Sequence, residues 1–132
     1  MRVYLVRHAE AEPGSPDELR ALTPGGRAAA RALGRRLRDE AGAVDAVLSS
    51  PLRRARETAE AIAAELATTA AVDELLAPGA TADSIRELAS GAGETIVAVG
   101  HQPDCSRIVA ALTNGPEPPF APAGMFRLDL PA

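Results

Sequence analysis

The chain contains two histidines, His8 and His101, and each stands just past a run of apolar β-formers. Val3-Tyr4-Leu5-Val6 leads through Arg7 to His8, and Thr95-Ile96-Val97-Ala98-Val99 leads through Gly100 to His101. A third short run, Ala46-Val47-Leu48, ends shortly before Arg53 and Arg54, where a helix is expected to open. In an open sheet of parallel strands, ligands bind outside the carboxyl ends of the strands. If the three strands are parallel neighbours, His8, His101, Arg7 and one of Arg53 or Arg54 meet at one sheet edge. Two imidazoles and two guanidiniums repel one another when the site is empty and together favour a dianion. The planar arginine fork suits phosphate oxygens through charge-assisted, often bidentate hydrogen bonds. The chemistry indicated is phosphoryl binding or transfer.

The rest of the chain reads as the frame for that edge. Thr23-Pro24 is a helix start, with Thr as N-cap and Pro in the first turn. Ala30, Leu33, Leu37 and Ala41 then recur at helical spacing up to a stop at Gly42. A second helix carries Ala55, Ala59, Ile62, Ala63 and Leu66 on one face. Residues 68–93 are less regular: Val72, Leu75 and Leu76 predict a strand or a short buried segment. Pro78-Gly79 turns the chain, and Thr81 or Asp83 caps a short helix with Ile85 and Leu88 inside. Ile108, Val109 and Leu112 lie on a further helix that stops near Asn114-Gly115-Pro116. Met125-Phe126-Arg127-Leu128-Asp129-Leu130 alternates like a half-buried edge strand. Strands alternating with helices predict one α/β domain over residues 1–132, three layers α/β/α around a mostly parallel sheet.

Composition narrows the partners. The 132 residues are 46% hydrophobic and 24% charged, ordinary for a globular chain, and the net charge of −4 opposes non-specific nucleic-acid binding. Aromatic residues make up 2%, so platforms for stacking on single strands are nearly absent. No apolar run approaches the roughly 20 residues of a membrane span, and the N-terminus lacks a signal-peptide core. A single cysteine, Cys105, fits a reducing, cytoplasmic setting.

Four segments resemble a known family. Leu5-Val6-Arg7-His8-Ala9-Glu10-Ala11 resembles the Arg-His signature of the histidine phosphatase (phosphoglycerate mutase-like) superfamily. Leu22-Thr23-Pro24-Gly25-Gly26 resembles its Leu-Thr-x-x-Gly segment. Ser49-Ser50-Pro51-Leu52-Arg53-Arg54-Ala55-Arg56-Glu57-Thr58-Ala59 resembles its Ser-x-x-x-Arg-Ala-x-x-Thr-Ala motif, and Val99-Gly100-His101-Gln102-Pro103 its second histidine motif. The short length, Arg-His-Ala-x-Ala and Gly-His-Gln-Pro are most similar to the SixA group, the phosphohistidine phosphatases. The resemblance implies that His8 is a nucleophile that transiently becomes phosphohistidine. It implies that Arg7 and Arg54 hold phosphoryl oxygens and that His101 is the second, electrostatic histidine. No cofactor or metal is expected, because the arginines supply the charge that a cation would bring.

One part of the family pattern is missing. Many members carry a mid-chain Leu-x-Glu proton donor, and Ala77 stands where that glutamate is expected, which leaves Glu74, Asp17 or solvent. The insertions that larger members fold over the pocket are also missing. An alkyl ester must expel a basic alkoxide and profits from a general acid. Phosphohistidine expels an imidazole whose conjugate acid has a pKa of about 6.5, so solvent protonation suffices. Both absences favour a phosphohistidine-bearing partner protein of phosphorelay or phosphotransfer type. The alternatives are a small-molecule phosphomonoesterase or mutase acting on a phosphorylated metabolite, and a non-catalytic phosphate-binding adaptor. Bland readings apply elsewhere: Arg53 as a solvated helix residue, Arg56 and Glu60 as an i,i+4 surface pair. Arg31, Arg35, Arg36 and Arg38 read as a solvated face, Glu10 and Glu12 as loop carboxylates, and Cys105 as a buried, inert thiol.

Overall fold

The computed structural model describes residues 1–131. Strands and helices alternate along it: β1 (Arg2–Arg7), α1 (Pro24–Ala41), β2 (Ala46–Ser49), α2 (Arg53–Glu65), β3 (Ala70–Val72), α3 (Ala82–Ala92), β4 (Thr95–Gly100), α4 (Asp104–Thr113) and β5 (Met125–Asp129). They form one sheet in the order β3-β2-β4-β1-β5. All neighbours run parallel except β5, which pairs antiparallel with β1 as an edge strand. The expected three-layer α/β architecture is therefore present.

Alternation along the strands decides which helices cover which face. Val3 and Leu5 of β1 with Ile96 and Ala98 of β4 pack against α3 and α4. Tyr4, Val6, Val97 and Val99 point the other way, onto Leu33 and Leu37 of α1 and Ala55, Ala59 and Ile62 of α2. With both faces covered, β1 and β4 are continuous apolar runs, as central parallel strands are. Gly34 allows α1 and α2 to approach: a Cβ there would lie 2.9 Å from the Glu65 side chain and 3.1 Å from the Ile62 backbone.

The helix signals read from the sequence operate as expected. Thr23 Oγ1 accepts the Gly26 amide at 2.9 Å, and Gly42 closes α1 with φ of 68°. Thr81, rather than Asp83, caps α3, in a reciprocal box with Ser84, while Asp83 pairs with Arg86. Asn114 ends α4 in the left-handed conformation.

Two details depart from the sequence reading. The apolar stretch after α2 divides into the three-residue edge strand β3 and a 3₁₀ turn, Glu74–Leu76. Leu76 is buried, but Val72 is half exposed because an edge strand has a neighbour on one side only. The polar segment after His8 also contains a 3₁₀ turn, Asp17–Leu19, with no buried residue of its own.

Candidate active site

Register alone brings the two histidines together. The last paired residues of β1 and β4 are Arg7 and Gly100, so His8 and His101 leave adjacent strands at the same level. The His8 amide extends the pairing by donating to the Gly100 carbonyl at 3.0 Å. On the other side of β4, Ser49 pairs with Val99, and the Ser50 amide donates to the Val99 carbonyl at 3.0 Å. Neighbouring strands lie about 4.8 Å apart, and the imidazole centroids are accordingly 5.4 Å apart, tilted by 57°.

Each imidazole has one committed nitrogen and one without a partner. His8 Nδ1 donates to the Ala9 carbonyl at 2.7 Å, which assigns the proton to Nδ1 and leaves the Nε2 lone pair free. His101 Nε2 lies 2.7 Å from Ser50 Oγ, and its Nδ1 is buried with no partner. Burial lowers the pKa of His8 below the usual imidazole value, and the nearby charges of Arg54, Arg7 and Arg20 lower it further, against the opposing bond to Ala9. His101 is pushed down to about 4, first by burial and then by His8 and Arg54. Both rings are therefore neutral at pH 7.

The arginines differ in burial and in partners. Arg54 is buried at the start of α2, whereas Arg53, one residue earlier, is exposed and pairs with Glu57 at 3.1 Å. Arg7 donates through Nη1 to the Phe120 carbonyl at 2.9 Å, and its Nε is buried without a partner. A buried donor with no acceptor costs free energy, and an incoming anion relieves that cost. Arg54 donates through Nη1 to the Asp17 carbonyl at 2.9 Å and through Nη2 to Asp17 Oδ2 at 3.1 Å. Asp17 also accepts from Arg20 Nη1 at 2.9 Å. Its carboxyl pKa is lowered, chiefly by the Arg20 bond and also by Arg54, so Asp17 is an ionised acceptor at neutral pH.

The other named residues lie apart from this cluster. Glu74 is exposed and makes no hydrogen bond or ion pair with a site residue among the described residues. Cys105 is buried beneath β1, its sulfur 3.9 Å from the Val6 carbonyl, and burial pushes the thiol up to about 12. It is inert at neutral pH. The Arg56–Glu60 pair does not form. Arg56 is half-buried and donates through Nε to the Pro51 carbonyl at 3.0 Å, an acceptor at the helix start closer to hand than an exposed glutamate. Arg31, Arg35, Arg36 and Arg38 form the expected exposed face. Among the described residues no group of three His, Cys, Asp or Glu side chains is placed to hold a metal ion. No helix is long and apolar enough to cross a membrane.

Three supporting contacts carried no assignment in the sequence reading. Thr58 Oγ1 accepts the Ala9 amide at 3.0 Å and donates to the Arg54 carbonyl at 2.8 Å, tying the His8 loop to α2. The Phe120 carbonyl anchors Arg7 from the loop before β5. Ser50 anchors His101. Ser50 and Thr58 both stand inside the arginine motif, and that position was the available signal.

Comparison with known proteins settles the family. The model of the histidine phosphatase superfamily (branch 1) matches residues 3–78, more than half of the chain. The chain belongs to this superfamily. An uncharacterized protein of Picosynechococcus is 33% identical over 123 residues, covering 87% of this chain and 74% of that protein. The protein histidine phosphatase SixA in complex with tungstate superposes with a TM-score of 0.87 at 24% identity, covering 98% of this chain and 88% of SixA. SixA from Agrobacterium tumefaciens gives 0.70 at 28% identity, with 84% and 76% covered. A mycobacterial glucosyl-3-phosphoglycerate phosphatase gives 0.75 at 20% identity, with 97% and 89% covered. The architecture is SixA-like, and superfamily and architecture together support a phosphatase.

Proposed function

We propose that this phosphatase removes phosphoryl groups from phosphohistidine on a partner protein, through a phosphohistidine formed at His8. The observation that carries the reading is the state of the His8 ring. Its Nδ1 is committed to the Ala9 carbonyl, its Nε2 lone pair is free, and its pKa is lowered, so the nucleophile is neutral at pH 7. In the first step His8 Nε2 forms a bond to phosphorus as the phosphorus–nitrogen bond of the substrate breaks. The departing imidazole takes its proton from solvent. In the second step water attacks phosphorus, the His8 bond breaks, and inorganic phosphate leaves. Arg7 and Arg54 meet the charge on the transferring oxygens, the largest usual contribution to such catalysis. His101 adds a hydrogen-bonding group beside them.

Leaving-group chemistry supports phosphohistidine over an alkyl ester. Of the two carboxylates considered as proton donors, Asp17 is ionised on Arg54 and Arg20, and Glu74 is exposed and makes no hydrogen bond or ion pair with a site residue among the described residues. A substrate that leaves without a general acid suits such a site. The second reading is a small-molecule phosphomonoesterase, favoured by the fold shared with the glucosyl-3-phosphoglycerate phosphatase. An adaptor without turnover has no use for a free imidazole nucleophile. Steady-state kinetics on a phosphohistidine-carrying phosphotransfer protein, phosphotyrosine, phosphoserine, phosphoglycerate and sugar phosphates separate these readings. We expect kcat/KM for the phosphohistidine protein to exceed that for every alkyl phosphate by at least about 100-fold, because imidazole is a much less basic leaving group than an alkoxide. A sugar phosphate or phosphoglycerate as the best substrate would establish the second reading.

A further inference from the structure

The hydrogen bond between Ser50 and His101 has a direction, and the surrounding groups decide it. Ser50 Oγ lies 2.7 Å from His101 Nε2 and accepts the Leu52 amide at 3.2 Å. Ser50 is fully enclosed, and His101 Nδ1 is buried with no partner. A hydroxyl has one proton to give and two lone pairs, and a neutral imidazole carries its proton on one of its two nitrogens.

Two arrangements satisfy the 2.7 Å contact. In the first, Ser50 donates to Nε2 and the ring proton resides on Nδ1. The hydroxyl then both donates and accepts, and a single group, the Nδ1–H, is left without a partner. In the second, Nε2–H donates to Ser50, which already accepts from Leu52. The hydroxyl proton then has no acceptor, and Nδ1 holds an unpaired lone pair, so two buried groups go unsatisfied. Buried polar groups without partners are costly, and the first arrangement has fewer. The low pKa of His101 is in keeping with a ring that stays neutral in either case.

We propose that Ser50 is a positioning residue: it donates to His101 Nε2 and so fixes the Nδ1–H tautomer. A neutral imidazole then presents a donor to the phosphoryl oxygens, where the other tautomer would oppose them with a lone pair. The donor role rests on phosphoryl transfer at His8, whereas the tautomer does not. Free histidine in water prefers the proton on Nε2, so the environment must impose this state. The Ser50 backbone is suited to do so, since its amide is fixed to the Val99 carbonyl at 3.0 Å.

The test is nitrogen NMR of the two imidazoles in the ligand-free protein at neutral pH, assigned with a His8→Asn variant. His101 should show a pyrrole-type Nδ1 and a pyridine-type Nε2. Ser50→Ala should move His101 toward the Nε2–H form, leave His8 unchanged, and lower kcat roughly tenfold to a hundredfold, the scale of one buried hydrogen bond. Ser50→Thr, which keeps the hydroxyl, should restore the Nδ1–H tautomer and part of kcat. A native His101 protonated on Nε2 overturns the proposal. So does an unchanged tautomer in Ser50→Ala, because Ser50 would then serve only the turn before α2. If Ser50→Ala fails to fold, the native spectrum still decides. A native protein with the Nδ1–H tautomer but no phosphatase activity would remove the function above and leave this inference standing.

Discussion

The ends of β1 and β4 and the polar segment of residues 10–21 both supply groups to the site, but different forces hold them. At the strand ends the backbone does the work. His8 is pinned through its amide to Gly100, Ala9 to Thr58, and the His101 carbonyl accepts the Cys105 amide as α4 begins. His101 is buried, and so are Val3–Val6 of β1 and Ile96–Val99 of β4 beneath it. The polar segment contributes Asp17 from a 3₁₀ turn with no buried residue, and arginines hold it: Arg54 and Arg20 on Asp17, and Arg20 Nε on the Glu12 carbonyl at 2.7 Å. A carboxylate on Arg54 occupies donors of the kind a phosphoryl group would use. The floor of the site is thus set before substrate arrives, while the rim is held by contacts that an anion can replace. Changes in the floor should abolish turnover, and changes in the rim should only adjust it.

The largest effect is expected at the floor. His8→Ala should lower turnover of every substrate by at least about 1,000-fold, as loss of a covalent nucleophile does. Phosphate should still bind, because Arg7 and Arg54 remain. Rapid quench of the native protein with labelled substrate should trap a phosphoenzyme that is labile in acid and stable in base. Since burial and the nearby arginines hold the His8 pKa below the ordinary imidazole value, its neutral form persists to lower pH than a free imidazole's, and kcat/KM should not fall until the medium is more acidic still. Residual activity above a few per cent in His8→Ala would show that another group attacks phosphorus.

Next in size is the contrast between two adjacent arginines. Arg54→Ala removes a buried guanidinium, and kcat/KM should drop about 100- to 1,000-fold, as when one donor to the transition state is lost. Arg53 sits on the solvent side of the same helix start in an exposed pair with Glu57. Arg53→Ala should change kcat/KM by less than about threefold. Reversed effects would place the phosphoryl group on the other side of the helix and make Arg53 part of the floor.

The same division between floor and rim governs what could be read from the sequence. His8 and His101 were legible because each follows a buried strand, and parallel pairing carries whatever follows such strands to a common edge. Arg54 was distinguishable from Arg53 only through the motif, since composition treats the two alike. In the rim, Asp17 was legible as a candidate proton donor but not as the partner of Arg54. Asp17 lies 37 residues from Arg54 in a segment without periodicity, and a 3₁₀ turn with no buried face leaves no hydrophobic pattern. Ser50 and Thr58 were visible as residues but not as contacts, because a hydroxyl's partners depend on which backbone groups the fold brings near. Helical spacing also misled at Arg56, where the Pro51 carbonyl took the guanidinium that an i,i+4 rule assigns to Glu60.

A small effect is also expected at Asp17, and it distinguishes a rim contact from a proton donor. Asp17→Asn keeps an acceptor for Arg54 and removes the negative charge beside it. The Asp17 side chain is largely exposed, so the pair is of the weak kind, and kcat/KM should change by no more than about fivefold. The change should be equal for phosphohistidine, aryl phosphates and alkyl phosphates, because a contact to the guanidinium does not sense the leaving group. A general acid behaves differently. Its loss would spare phosphohistidine, whose imidazole leaves readily, and would impair phosphoserine and glycerol phosphate most. The pH profile separates the cases again: Arg20 and Arg54 lower the carboxyl pKa of Asp17, so it is ionised at neutral pH and has no proton to give there. In the native protein, rates should therefore fall steeply from phosphohistidine through tyrosine phosphate to alkyl phosphates, and Asp17→Asn should leave that slope unchanged. A flat native trend that becomes steep in Asp17→Asn would make Asp17 the missing acid, and the rim would then belong to the catalytic machinery.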